Sequence, residues 1–145
     1  YVMRGFAVRT FHPDGSLRSE VRGAEARHYP DTDNTEIDDA RIRSIRPDGV
    51  LTTGQARLVN SNADQTEFDL RGQAVVVREP HGGSPRMAFQ GEQLRILVNQ
   101  HRVSSDQAVL LLRGRDRMRA DRLDYRDDPG VALPNRPLQA TLGGR

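Results

Sequence analysis

Apolar and polar residues alternate along most of this chain, and the alternation predicts strands. In TEFDLRGQAVVV, Thr66, Phe68, Leu70, Ala74 and Val76 fall on one face, with Glu67, Asp69, Arg71 and Gln73 on the other. A period of two belongs to a strand half-buried against a core. Gly72 interrupts the run, which predicts a bend or bulge there. The same alternation puts Leu17 and Val21 on one face of SLRSEV, Leu94, Ile96 and Val98 on one face of EQLRILV, and Ala108, Leu110 and Leu112 on one face of QAVLLLRG. Turn residues separate the runs. Pro13-Asp14-Gly15 and Pro47-Asp48-Gly49 join a proline that presets φ to a glycine free to take positive φ, which is a hairpin signal. Asn60-Ser61-Asn62-Ala63-Asp64, His81-Gly82-Gly83-Ser84-Pro85 and Pro129-Gly130 supply further polar turns, and no window carries a helical stripe over three turns. The expected class is all-β and antiparallel.

A weak internal repeat adds to this. Leu94 and Ile96 precede Gly114 by 20 and 18 residues, and Leu123 and Tyr125 precede Gly143 by the same intervals. Stacked hairpins produce such a pattern, and they leave their end strands open.

Composition narrows the function more than the fold. A chain of 145 residues suits one domain, and residues 1–145 are expected to form it. All 22 basic residues are arginine, and 20 acids bring the net charge to only +2. The densest basic stretch, RGRDRMRADRLDYRDD at residues 113–128, has Asp116, Asp121, Asp124, Asp127 and Asp128 threaded through it. A nucleic-acid surface segregates its charge, so this pattern reads as a solvated strand face and no nucleic-acid partner is expected. The absence of cysteine removes disulfides and thiolate metal sites without identifying a compartment. No run approaches the roughly 18 apolar residues of a membrane span.

ARHYPDTDNTEID, residues 26–38, looks at first like a metal loop, with His28 followed by Asp31, Asp33, Glu36 and Asp38. A calcium loop of the EF-hand type needs acids at its first, third and fifth positions, a glycine at the sixth and a glutamate at the twelfth. Counted from Asp31, those last three positions hold Thr35, Glu36 and Ile42. The pattern fails, His12 and His28 have no partner at metal spacing, and Tyr29-Pro30-Asp31 reads instead as a strand running into a turn. Neither a metal nor a cofactor is expected. Ser84, Ser104 and Ser105 lack a nucleophile elbow. Asp121 and Asp124, the least implausible carboxylate pair, are three apart and would point to opposite faces of a regular strand. An enzyme is not expected.

Several stretches together resemble a known family. The opening YVMRGFAVRTFHPDG has the form aromatic-x-Met-x-x-Phe-x-Val-Arg-x-Phe followed by Asp-Gly. After it come Arg27-His28-Tyr29-Pro30-Asp31, the Leu-x-Gly-type element of residues 70–79 and the Ser-Ser-Asp-x-x-Val block of residues 104–109. In this order and spacing they are similar to the LptC family, the membrane-anchored periplasmic component of the bacterial lipopolysaccharide-export bridge. The resemblance implies an open, twisted antiparallel β-jellyroll of two sheets with an apolar slot for the acyl chains of lipid A. It also implies a transmembrane helix ahead of Tyr1 that anchors the protein in the inner membrane. The implied partners are the subunits of the inner-membrane lipopolysaccharide ABC transporter and a soluble periplasmic bridge protein.

Such a role needs no catalyst. Each methylene leaving water contributes about 0.8 kcal/mol, so inward aliphatic and aromatic side chains give affinity with little selectivity. The inward face expected to line the slot comprises Phe6, Val8, Leu17 and Val21, then Phe68, Leu70, Val76 and Phe89, and then Leu94, Ile96, Leu110, Leu112, Leu123 and Tyr125. Phe6, Val8 and Phe11 at one end and Leu138, Ala140 and Leu142 at the other are expected to be partner edges. In the family-like arrangement the first faces the transporter and the second the bridge protein. Alternation identifies the inward face without telling a dry core from a wet slot. The competing reading is a closed β-sandwich that binds glycan or protein.

Overall fold

The structure, a computed structural model, describes residues 2–126 and 140–141. Six long strands form an antiparallel meander: β1 (Val2–Phe11), β2 (Leu17–Tyr29), β3 (Asn34–Ile45), β4 (Leu51–Ser61), β5 (Glu67–Arg78) and β6 (Met87–Leu97). A 3-10 turn, Val98–Gln100, leads into β7 (Arg102–Ser105), β8 (Val109–Arg113), β9 (Asp116–Ala120) and β10 (Arg122–Arg126), and β11 (Ala140–Thr141) follows. The sheet forks at β6. Its first half pairs with β8, which carries β9, while its second half pairs with β7, which carries β10 and β11. The expected reversals are in place within the described residues: Gly15 and Gly49 take positive φ, 91° and 93°, in the turns after β1 and β3. In the turn after β4 the Asn62 side chain accepts hydrogen bonds from the backbone of Thr66 and Glu67. Pro129-Gly130 and Gly143 lie outside the described residues.

Every ladder between neighbouring long strands is interrupted near its middle, and these breaks line up across the sheet. Gly5 and Ala24 drop out between Arg4↔Glu25 and Phe6↔Gly23, and Asp39 and Arg57 drop out between Asp38↔Leu58 and Ala40↔Ala56. The β4–β5 and β5–β6 registers shift between Gln55 and Leu58 and between Arg71 and Ala74. Positive φ recurs on alternate strands along this line, at Gly5, Asp39, Gly72 and Gln73. Such bulges bend a strand and change which side chains face the core. The inward positions accordingly change phase, from Val21 to Ala26, from Ile37 to Ala40, and from Ala56 to Val59.

The strand halves on either side of the line form two facing layers. Layer I contains residues 6–11, 17–23, 40–45, 51–56, 74–78 and 87–91 with β8 and β9. Layer II contains residues 2–4, 25–29, 34–38, 58–61, 67–71 and 93–97 with β7, β10 and β11. A Cβ placed on Gly54 of layer I would lie 3.2 Å from Cδ1 of Ile96 in layer II, so glycine here lets the layers close. Across layer I a row in register runs through Val8, Val21, Ile42, Gly54, Val76, Phe89, Leu111 and Met118. Across layer II, Ala26, Ile37, Val59, Leu70 and Leu94 do the same. Each large apolar side chain fully buried between them contributes about 1.5–3 kcal/mol.

The expectation for β8 needs correcting. Leu110 and Leu112 face outward, opposite Arg119 and Arg117, while Val109 and Leu111 are buried in the core. The run VLLL, residues 109–112, has no polar residue to mark its phase, and counting on from Ala108 selects the wrong set. Ala108 itself is exposed and lies before the strand begins.

Candidate functional site

A cleft opens between the layers on the side away from the aligned breaks. On the layer I side it is lined by Ser44, Thr52, Val76, Arg78 and Phe89 with Arg46 just after β3, and on the layer II side by Ile96, Leu97, Arg102, Val103 and Tyr125 with Val98 and His101 of the 3-10 turn and its end. Phe89 and Tyr125 meet across it with ring centroids 5.4 Å apart and planes inclined by 46°. Its cavity volume of about 50 Å³ admits one or two methylene-sized groups as the layers now stand. Behind it the interior is closed by Phe68, Leu70 and Leu94, all fully buried. Going deeper requires the layers to part.

Of the residues expected to line a slot, Val76, Phe89, Ile96 and Tyr125 stand at this cleft. Val21, Phe68, Leu70, Leu94 and Leu123 belong to the sealed core, and Phe6 packs against it from the edge strand. Val8 and Leu17 are half-buried at the β1–β2 end. Leu110 lines a separate groove on the outer face, beside Val75, Gln90, Arg117 and Arg119. The pattern reading missed the polar lip of the cleft: Arg46, Arg78, His101 and Arg102. Arg78 had a signal, because it lies two residues after inward-facing Val76 and opposite Met87 of the core.

The lip is held by ion pairs. Arg46 Nε and Nη2 donate to the two carboxylate oxygens of Asp48 at 3.1 and 2.7 Å, and this pairing holds the Asp48 pKa down to about 2. Arg102 donates through Nε to Asp124 at 2.9 Å and through Nη1 to Gln100 at 3.0 Å. Asp124 is therefore an ion-pair partner, while Asp121 is exposed between β9 and β10.

The stretch that looked like a metal loop is organised around an arginine. Arg27 donates to Glu25, Glu36 and Asp38 at 2.7–3.1 Å; the bonds to Asp38 and then Glu36 raise its own pKa, and the bond from Arg27 lowers that of Asp38. Asp33, in the β2–β3 turn with φ of 59°, accepts a hydrogen bond from His28 Nε2 at 2.8 Å. Among the described residues no group of three or more His, Asp or Glu side chains is placed to hold a metal.

Among the described residues, at the two ends of the sheet, β1 pairs only with β2, and β11 only with β10. Phe11, at the end of β1, is 57% exposed. Ala140 is in β11, where it stands opposite Leu123, while Leu138 and Leu142 lie outside the described residues. No helix among the described residues is long and apolar enough to cross a membrane.

The profile of the family described as lipopolysaccharide-assembly, LptC-related, matches residues 1–133. The chain belongs to the LptC family. That membership gives it a role in lipopolysaccharide transport, and proteins of this kind are periplasmic components. The fold agrees. Among solved structures the LptC-family chain is similar to LptH, the LptA-homologous periplasmic component of the lipopolysaccharide transport device of Pseudomonas aeruginosa. The TM-score is 0.62 at 12% identity, covering 83% of this chain and 90% of that one. No curated protein sequence matches it. The open, forked, unclosed sheet is that of the LptA and LptC jellyrolls.

Proposed function

We propose that this protein is a non-enzymatic lipopolysaccharide-binding and transfer module joining the inner-membrane ABC transporter complex to the periplasmic bridge protein. The observation that carries the reading is the continuous apolar row across layer I, which reaches an opening between the layers at Val76 and Phe89. Acyl chains of lipid A enter there as the layers part and exchange their contact with water for contact with these side chains. The open edge of β1 pairs with the transporter's periplasmic domain, and the β11 end pairs with the bridge protein, each by strand addition. We take the lining positions from the inward face, with Leu111 in place of Leu110 and Leu112.

A photo-crosslinking amino acid at Phe68 or Val76, in a complex reconstituted with transporter, lipopolysaccharide and ATP, is expected to capture lipopolysaccharide. The same group at outward-facing Leu110 is expected not to. An active complex that yields no adduct at any inward position would overturn the proposal.

The small cavity favours a second reading, a closed sandwich that binds glycan or protein on its surface. An environment-sensitive apolar dye separates the two, because only an accessible slot enhances its fluorescence.

A further inference from the structure

Layer I ends in a free edge. Among the described residues β9 pairs with β8 alone, so every second residue of β9 turns its N–H and C=O away from the sheet. Residues 113–128 mix arginine with aspartate in sequence, and the fold sorts them. Arg117 and Arg119 stand opposite Leu112 and Leu110 on the outer face of layer I. Asp116 falls on the other side of β9 with Met118, Asp121 lies between β9 and β10, and Asp124 pairs with Arg102 in layer II. What remains along the outer side of the edge is basic: Arg117, Arg119 and, in the β8–β9 turn, Arg115, all exposed. No ion pair among the described residues engages any of the three.

We infer that β9 docks an extended strand of a partner protein that carries carboxylates at alternate positions. This adds a third edge to the two proposed above. An incoming strand takes up the free main-chain groups of β9, and its period of two sets every second side chain beside Arg117 and Arg119. Opposite charges directly across a strand pair attract and like charges repel, so the row selects among strands as well as guarding the edge. The planar fork of each guanidinium also fits a carboxylate with two hydrogen bonds. A second copy of this chain is a poor occupant through its β1, because VMRGFAVRTF carries Arg4 and Arg9 and no acid. Residues 127–139 of the chain itself have their two acids adjacent, at Asp127 and Asp128, so a strand made from them turns only one to the row.

The test measures binding of three blocked heptapeptides to the full chain, each alternating valine with glutamate, glutamine or lysine. By calorimetry the glutamate peptide is expected to bind about fivefold more tightly than the glutamine one, from two favourable cross-strand pairs, with the lysine peptide weakest. The gap is expected to narrow as salt rises. Hydrogen exchange is expected to slow at the amides of β9 and not at those of β1. Arg117→Glu combined with Arg119→Glu is expected to reverse the order in favour of the lysine peptide, and Arg117→Lys combined with Arg119→Lys to keep it. Both positions are exposed, and thermal midpoints are compared first to establish that the variants are folded. Equal binding of the glutamate and glutamine peptides, or an order unchanged by charge reversal, would overturn the selection by charge. Protection at β1 instead of β9 would overturn the third edge, as would binding of none of the peptides, and either result would leave the lipid slot standing. Equal binding of a glutamate peptide N-methylated throughout would make this a site for a loose anion and not for a strand. Self-association of the parent below the concentrations at which the glutamate peptide binds, lost on charge reversal, would make a second copy the occupant.

Discussion

Gly72 is where the aligned breaks can be probed most directly. Its φ of 84° is in the left-handed region, and a Cβ there would lie 3.0 Å from Cβ of Arg57, with Cγ and Cδ at 3.4 and 3.3 Å. The nearest atom is the root of the Arg57 side chain, so the contact cannot be relieved by swinging its flexible end. Left-handed backbone costs an L-residue about 1–2 kcal/mol, more when the side chain is β-branched. With the close contact added, Gly72→Val is expected to lose about 3 kcal/mol, a cost on the scale of other strained sites. Unfolding entropy near 2.1 cal/mol/K per residue gives about 0.3 kcal/mol/K for a chain of this length, hence a fall in midpoint of about 10 °C by calorimetry. Gly72→Asn is expected to fall less, because asparagine tolerates positive φ while still carrying the Cβ. In an Arg57→Gly background the contact is gone, so Gly72→Val is expected to recover part of its loss and keep the remainder. A Gly72→Val midpoint within about 1 °C of the parent, or an Asn variant as damaged as the Val one, would refute the argument.

Other predictions follow from the same geometry. Leu111→Ala is expected to cost about 3 kcal/mol in urea unfolding and Leu112→Ala less than about 1 kcal/mol, since only the first leaves a cavity; the reverse order would contradict the phase of β8. Asp48 has its pKa lowered from 3.8 to about 2, so the Arg46–Asp48 pair contributes fully above pH 3.8 and is lost as pH falls towards 2. Acid titration of Asp48→Asn should therefore lack that part of the parent's loss of stability, and identical curves would exclude it. Val8→Pro removes a main-chain donor from edge strand β1 and is expected to weaken capture of the transporter while sparing the bridge protein, with Ala140→Pro doing the reverse. Pull-downs of the folded variants decide this, and equal loss of both partners from either variant would mean the ends are not separate docking sites.

Much of the fold was legible because polar residues mark the strand faces. Glu67, Asp69 and Arg71 left only one choice for Phe68 and Leu70, and the Pro-Asp-Gly turns fixed where β1 and β3 end. Where those markers are missing, as in the apolar run of β8, phase could not be read. Gly72 announced one bulge, because glycine signals positive φ. Asp39 and Gln73 take positive φ with ordinary polar side chains and gave no signal, so the line of breaks across six strands emerges only from the paired registers. The cleft was legible as an apolar face and illegible as a polar lip. Arg46, Arg78, His101 and Arg102 are scattered over more than fifty positions, and only the folding of layer I over layer II brings them together.

The aligned breaks also make the sheet mechanically anisotropic. Along the stack of strands, each neighbour is tied by a ladder of main-chain hydrogen bonds, so a pull in that direction loads many bonds at once. Across the crease the ladders are already interrupted, and what resists prying the layers apart is side-chain contact such as Phe89 against Tyr125 and Ile96 against Gly54. The molecule is thus stiff lengthwise and compliant at its spine, like a bound book that resists stretching yet opens at the fore-edge. For the proposed transfer module, this combination means bearing tension from end to end while admitting and releasing cargo from the side.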